Sequence, residues 1–287
     1  MHVDIRITRT FLRIFPRPAR ILVGLLLANT ILVTNSNADL ILTAPPRESS
    51  ELGKAMYEPI AEGLSTLMGE LVVYQRPKGW FDYSKNMRNN KYDIVFDGPH
   101  FTAWRLKHLD HTPVASLPGK LKFFVVANES DDELKKLHDL VGQKICGILS
   151  PNLGTDLVLS QYDNPAIQPI IYSVKGDMLA VFNRFKEGKC RAAILRDIAY
   201  DKLAAAQKQS LKIIYKTNPM PNQTITIAPK LKKHRREIES FMTSPSGASA
   251  SEKLLARYSN KARYFVPTVV KNYRGVEELI EGVVFGW

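Results

Sequence analysis

The 287-residue chain has a formal net charge of +12, with 45% hydrophobic and 24% charged residues. This is a globular composition, long enough for two compact lobes and a sizeable core. The positive charge is scattered except for one dense run at residues 230–236, which reads as a solvated helix face. No zinc finger, RNP motif or Gly-rich phosphate loop accompanies it, so a small anion, not nucleic acid, is the expected partner.

The chain opens with Arg6, Arg9, Arg13, Arg17 and Arg20, followed by an apolar run over residues 21–33 and then Ser36-Asn37-Ala38. Positive, apolar and small-residue regions in that order predict a secretory signal over residues 1–38, cleaved before Asp39. The other reading is an uncleaved anchor, for which the apolar run is short. Export makes the two cysteines meaningful. An even pair in an oxidising compartment points to one disulfide, Cys146 to Cys190, over two buried thiols.

Strand and helix patterns then alternate. Residues 40–44 form a continuous apolar strand, and residues 45–50 break it. A helix follows with Leu52, Met56, Ile60, Leu64 and Leu67 on one face and Ser49 or Ser50 as its cap. Strands are predicted at 71–74 and 93–96, with a short helix at 83–90 between them. An extended stretch at 122–127 leads to a polar helix at 131–139. A second alternation runs through strands 144–149, 168–173 and 191–195 and helices 155–162, 177–186 and 197–207. Strands at 212–215 and 223–228 carry the chain back. Residues 243–249 are a loop by composition, and helices are expected at 230–242, 250–258 and 276–280.

This order predicts an α/β fold of two lobes, each a mainly parallel sheet flanked by helices, joined by two crossing strands. The first lobe is expected over 39–126 and the second over 127–215. The return to lobe 1, with C-terminal helices and an extension, is expected over 216–287. A cleft between lobes is the usual place for a ligand.

Strand ends supply the candidate site residues, because ligands of open α/β sheets sit outside the carboxyl ends of the strands. Arg47, after the first strand, can pair with an anion bidentately. Asp97, Gly98, Pro99 and His100 end the third strand. Gly98 lets backbone approach a ligand closely, Asp97 can accept from a protonated ligand hydroxyl or an ammonium, and His100 can donate to an oxyanion. Ser150, Asn152, Gly154 and Thr155 open a second-lobe helix and offer hydroxyls and helix-start amides. Lys175 is a further cationic candidate, and Arg196 and Asp197 end another strand. No nucleophile–base pair and no metal-ligand spacing is present, so neither an enzyme nor a cofactor is expected.

The run Tyr83-Ser84-Lys85-Asn86-Met87-Arg88-Asn89-Asn90-Lys91-Tyr92-Asp93-Ile94-Val95-Phe96-Asp97-Gly98-Pro99 resembles the periplasmic phosphate/phosphite/phosphonate-binding protein family, the PhnD-like solute-binding proteins of ABC transporters. Leu140-Val141-Gly142-Gln143-Lys144, Met178-Leu179-Ala180-Val181-Phe182, Gly188 and Arg191-Ala192-Ala193-Ile194-Leu195 extend the resemblance over about residues 40–241. It implies a type 2 periplasmic-binding fold that closes over an oxyanion. Gly98 and Pro99 match the family's first-lobe binding loop. Ser150 and Thr155 fall where the family commonly has a Ser-Thr-Ser-Gly cradle, and this chain instead reads Ser-Pro-Asn-Leu-Gly-Thr. The expectation is a monomeric periplasmic protein that captures a small oxyanion, phosphate- or phosphonate-like, for an ABC permease. The alternative is a sensing or adaptor module that signals to a membrane receptor. The altered cradle and the aromatic tail over residues 283–287 motivate it.

Overall fold

A computed structural model describes residues 39–259 and 261–281. The expected signal segment and the tail over residues 283–287 lie outside the described residues.

In chain order the elements are β1 (Leu40–Thr43), α1 (Ser50–Met68), β2 (Val72–Tyr74), α2 (Trp80–Arg88), β3 (Ile94–Asp97), α3 (Pro99–His108), β4 (Thr112–Ser116), β5 (Lys120–Leu121) and β6 (Phe123–Asn128). They continue with β7 (Lys144–Gly147), α4 (Leu153–Leu159), β8 (Ile170–Ser173), α5 (Met178–Lys186), β9 (Ala192–Arg196), α6 (Asp197–Asp201), α7 (Ala205–Gln209) and β10 (Leu211–Lys216). The last are β11 (Met220–Pro221), β12 (Thr224–Ile227), α8 (Arg235–Met242), α9 (Pro245–Ala250), α10 (Glu252–Tyr258), β13 (Val266–Pro267) and α11 (Glu278–Glu281).

Two sheets organise two lobes. The first has the order β13-β4-β12-β3-β1-β2 and the second β10-β6-β9-β7-β8. Strands β1, β2 and β3 run parallel, as do β7, β8 and β9, because helical crossovers join them. The antiparallel neighbours come from β4, β6, β10, β12 and β13. The short antiparallel pair β5 and β11 marks where the chain crosses between lobes and returns. Strand β6 belongs to the second sheet, so the boundary expected after residue 126 falls inside a strand of that sheet.

Local chemistry explains the elements. Ser49 caps α1 by accepting from the Leu52 amide, and Gly69 ends it in the left-handed region, with φ 66°. The stripe that α1 buries is Gly53, Met56, Tyr57, Ile60, Ala61 and Leu64, whereas Leu52 and Leu67, expected on that face, are exposed near its ends. In the second lobe the disulfide Cys146–Cys190, with Cα atoms 5.5 Å apart, ties β7 to the segment leading into β9. It is buried with Val126, Val181, Phe182 and Phe185.

Three expectations fail for stated reasons. Residues 131–139 form no α-helix, only a 3₁₀ turn at Leu137–Leu140. Asp131 accepts from the Glu133 and Leu134 amides and Asp139 from those of Lys135 and Lys136, so side chains take the donors a helix would use. The expected loop at 243–249 contains α9, because Ser244 caps it by accepting from the Gly247 amide and Pro245 sits in its first turn. The helix expected at 197–207 is broken into α6 and α7, because Ala204 turns extended and its amide donates to the Gln207 side chain, which starts α7 afresh.

Candidate functional site

Strand β3 delivers Asp97 to the end of its run, but the carboxylate turns into the lobe. Asp97 is 1% exposed. It accepts from the Tyr83 hydroxyl at 2.5 Å and from Arg105 Nε at 2.9 Å, while Arg105 Nη2 donates to the Tyr83 oxygen at 3.0 Å. Burial alone would lower the Arg105 pKa, yet Tyr83 and Asp97 together hold it above its usual value. The ligand contact expected of Asp97 is therefore replaced by a structural one. An Arg eight residues further on, across the first turns of α3, claims the carboxylate and fixes β3 against α2 and α3.

The next three residues face differently. Gly98 is the N-cap of α3 and Pro99 occupies its first turn. A Cβ on Gly98 would lie 2.8 Å from His100 Cε1, 3.1 Å from His100 Nδ1 and 3.7 Å from Arg47 Nη2. The His100 ring thus packs directly on Gly98, where any side chain would clash, and Arg47 reaches the same side of the glycine. Arg47 is exposed on the loop after β1, with its guanidinium 5.8 Å from the centre of the Trp80 ring. It makes no ion pair among the described residues. His100 is fully buried, and its Nε2 lies 3.2 Å from the carbonyl oxygen of Pro151 in the second lobe. Its Nδ1 is buried without a hydrogen-bond partner. Burial and the Arg47 charge hold its pKa down at about 3, so the ring is neutral.

The second-lobe loop contains a cis Ser150–Pro151 peptide, and the Pro151 carbonyl follows it. Most of the expected cradle is spent within this lobe. Asn152 caps α4 by accepting from the Gly154 amide at 3.1 Å. Thr155 donates its hydroxyl to the Ile148 carbonyl at 2.6 Å. A Cβ on Gly154 would come within 2.5 Å of the Phe123 ring, so this glycine serves close packing. Ser150 alone keeps a buried hydroxyl without a hydrogen-bond partner. It lies beside Asp156, near enough to lower that group's pKa. Burial is the larger influence, and it raises the Asp156 pKa to about 7.

Lys175 is exposed on the loop after β8 and makes no ion pair among the described residues. Asp177, two residues on, is close enough to Arg257 of the first lobe to act on its charge.

Sequence reasoning did not find how the lobes meet on the other side. Arg196, at the end of β9, donates from Nη1 to the Tyr258 carbonyl at 3.3 Å. Tyr258 in turn donates its hydroxyl to Glu48 at 3.2 Å and packs its ring 5.3 Å from that of Phe96. A cavity of about 650 Å³ adjoins this contact and the crossing strands. Lys120, Arg196, Lys202, Lys261 and Arg263 line it, against a single carboxylate, Asp201. The only advance signal was the strand-end position of Arg196. The remaining cations come from segments far apart in sequence.

Two α/β lobes, a paired crossing and strand-end loops meeting between the lobes define a type 2 periplasmic-binding protein. Comparison with known families narrows this. Residues 42–273 match the family described as ABC transporter, phosphonate, periplasmic substrate-binding protein, and the chain belongs to that family. Sequence comparison with curated proteins found no match.

Solved structures share the fold at low identity. A Xanthomonas citri protein bound to ATP superposes with TM-score 0.66 at 13% identity, covering 85% of this chain and 96% of its own. A methylphosphonate complex from Prochlorococcus marinus gives 0.61 at 15% identity, covering 84% and 97%. A binding-protein component of a Pseudomonas aeruginosa phosphonate transporter gives 0.57 at 16% identity, covering 84% and 85%.

Proposed function

We propose that this chain is an exported binding protein that captures a small phosphonate-type oxyanion between its lobes and delivers it to an ABC permease. The observation that supports this most is the group formed by Arg47, Gly98 and His100. It combines a cation without a carboxylate partner, a glycine that lets both Arg47 and His100 come close, and a buried polar nitrogen, at the point where Pro151 of the second lobe touches the first. An anion placed there exchanges its hydration for the Arg47 guanidinium and for polar groups that are already fixed in place.

In this reading Arg47 supplies charge, Gly98 and Pro99 shape the approach, and His100 and Ser150 supply the remaining polar contacts. Asn152, Gly154 and Thr155 hold the second-lobe loop in position. Lys175 adds long-range attraction at the rim. The lobes close by hinge motion at the crossing strands β5 and β11. The methylphosphonate-bound Prochlorococcus marinus protein, of the same fold, supports the choice of ligand class.

Titration calorimetry of the purified protein with methylphosphonate, phosphite, phosphate and sulfate tests the proposal. One-to-one binding of a phosphorus oxyanion is expected. A panel that leaves both heat and melting temperature unchanged would overturn it.

A further inference from the structure

Which of two hydrogen-bonding roles His100 plays follows from its neighbours. The Pro151 carbonyl is an acceptor only, so the imidazole hydrogen sits on Nε2 and points at it. Nδ1 is then a lone pair. It is buried and no donor among the described residues reaches it. Arg47 is the one charged group that acts on the ring; the other contacts are the Phe101 ring on the same helix and Pro151 from the facing lobe. No carboxylate faces it, since Asp97 is held by Tyr83 and Arg105. With a pKa near 3 the ring does not gain a second proton over the neutral range.

An oxyanion beside Gly98 thus meets a cation and an acceptor together. A fully deprotonated oxyanion sets an oxygen lone pair against the Nδ1 lone pair. A monoprotonated one gives a charged oxygen to Arg47 and its O–H to Nδ1, so both site groups are satisfied. From this we propose that the site selects phosphorus oxyanions in their singly protonated form and rejects sulfonates and sulfate, which carry no proton near neutral pH. The inference rests on the oxyanion reading of the site. It gives His100 the acceptor role that the sequence suggested for Asp97.

The test is calorimetry of the purified protein with methylphosphonate from pH 5.5 to 9, and with methanesulfonate, which matches it in shape and carries one negative charge but no proton. Expected are a methylphosphonate affinity that falls about tenfold per pH unit above the ligand's second ionisation, and methanesulfonate binding at least about a hundredfold weaker. In His100→Ala the preference for methylphosphonate should shrink to less than about tenfold. Should that variant fail to fold, the two wild-type measurements decide alone. Comparable binding of both ligands, or affinity that holds or rises as the dianion forms, overturns the inference and leaves oxyanion capture standing. Absence of binding to either ligand at any pH removes both.

Discussion

The imidazole Nε2 of His100 in the first lobe donates to the carbonyl oxygen of Pro151 in the second, across 3.2 Å. On the other flank, Arg196 Nη1 donates to the Tyr258 carbonyl. Both bonds join the lobes, one donated from each, and the first lies where a ligand is proposed to sit. Each is local in space and remote in sequence.

The first prediction concerns these bonds. Arg196→Ala removes one latch outside the Arg47–His100 group. A net hydrogen bond from a charged donor contributes about 1.5–3 kcal/mol. The closed arrangement should therefore lose roughly that much, seen as a larger radius of gyration in solution scattering without ligand and a weaker ligand affinity. A radius and affinity equal to wild type would show that the bond does not contribute to closure.

Asp97 and Arg105 form a buried ion pair in which both side chains have no exposure. Arg105→Met leaves the carboxylate without its cation in a dry interior. The expected loss is about 3–5 kcal/mol of folding stability by denaturant titration. Asp97→Asn combined with Arg105→Met should recover part of it, because the stranded charge is gone. A single variant as stable as wild type would contradict the structural role given to Asp97.

Asp156 makes stability depend on pH. Its folded pKa of about 7 lies above the usual 3.8. Between those values the folded protein binds more protons than the unfolded chain, so this group's contribution falls as pH rises from about 4 to about 7 and is level above that. His100 and His111, both held near 3, act with the opposite sign and lose stability as pH falls below 6.5. Asp156→Asn mimics the protonated acid. The variant should be more stable than wild type at pH 8 by about 2–4 kcal/mol, with the difference closing at pH 4. A difference independent of pH would refute this.

The disulfide spans 44 residues. Chain-entropy reasoning gives a loop of that length about 4 kcal/mol. Cys146→Ser with Cys190→Ser should unfold at correspondingly lower denaturant, with ligand affinity in the surviving folded fraction unchanged. An unchanged denaturation midpoint would show that the bridge adds no stability.

The fold was largely legible because its signals are local. Apolar runs such as Leu40-Ile41-Leu42 gave strands, and Asp177 gave a helix cap, accepting from the Leu179 and Ala180 amides. The helix expected at 131–139 failed where Asp131 and Asp139 bonded to nearby amides, a competition that charge patterning does not reveal. For the proposed site, sequence pointed to loops but not to the direction of their side chains. Asp97 turns to Arg105, and Thr155 turns back to Ile148, because of partners that the tertiary fold brings near. Arg47 and His100 were suggested by strand-end position alone, and the fold brings both against Gly98. Arg196 and Tyr258 meet across 62 residues, which no local pattern encodes.

The central claim is that an oxyanion binds beside Arg47. Calorimetric titration of methylphosphonate into wild type and into Arg47→Ala, at a pH where the ligand is a monoanion, tests it most directly. One-to-one binding to wild type and a loss of at least about tenfold in the variant are predicted. Equal affinity in the two proteins would contradict the claim.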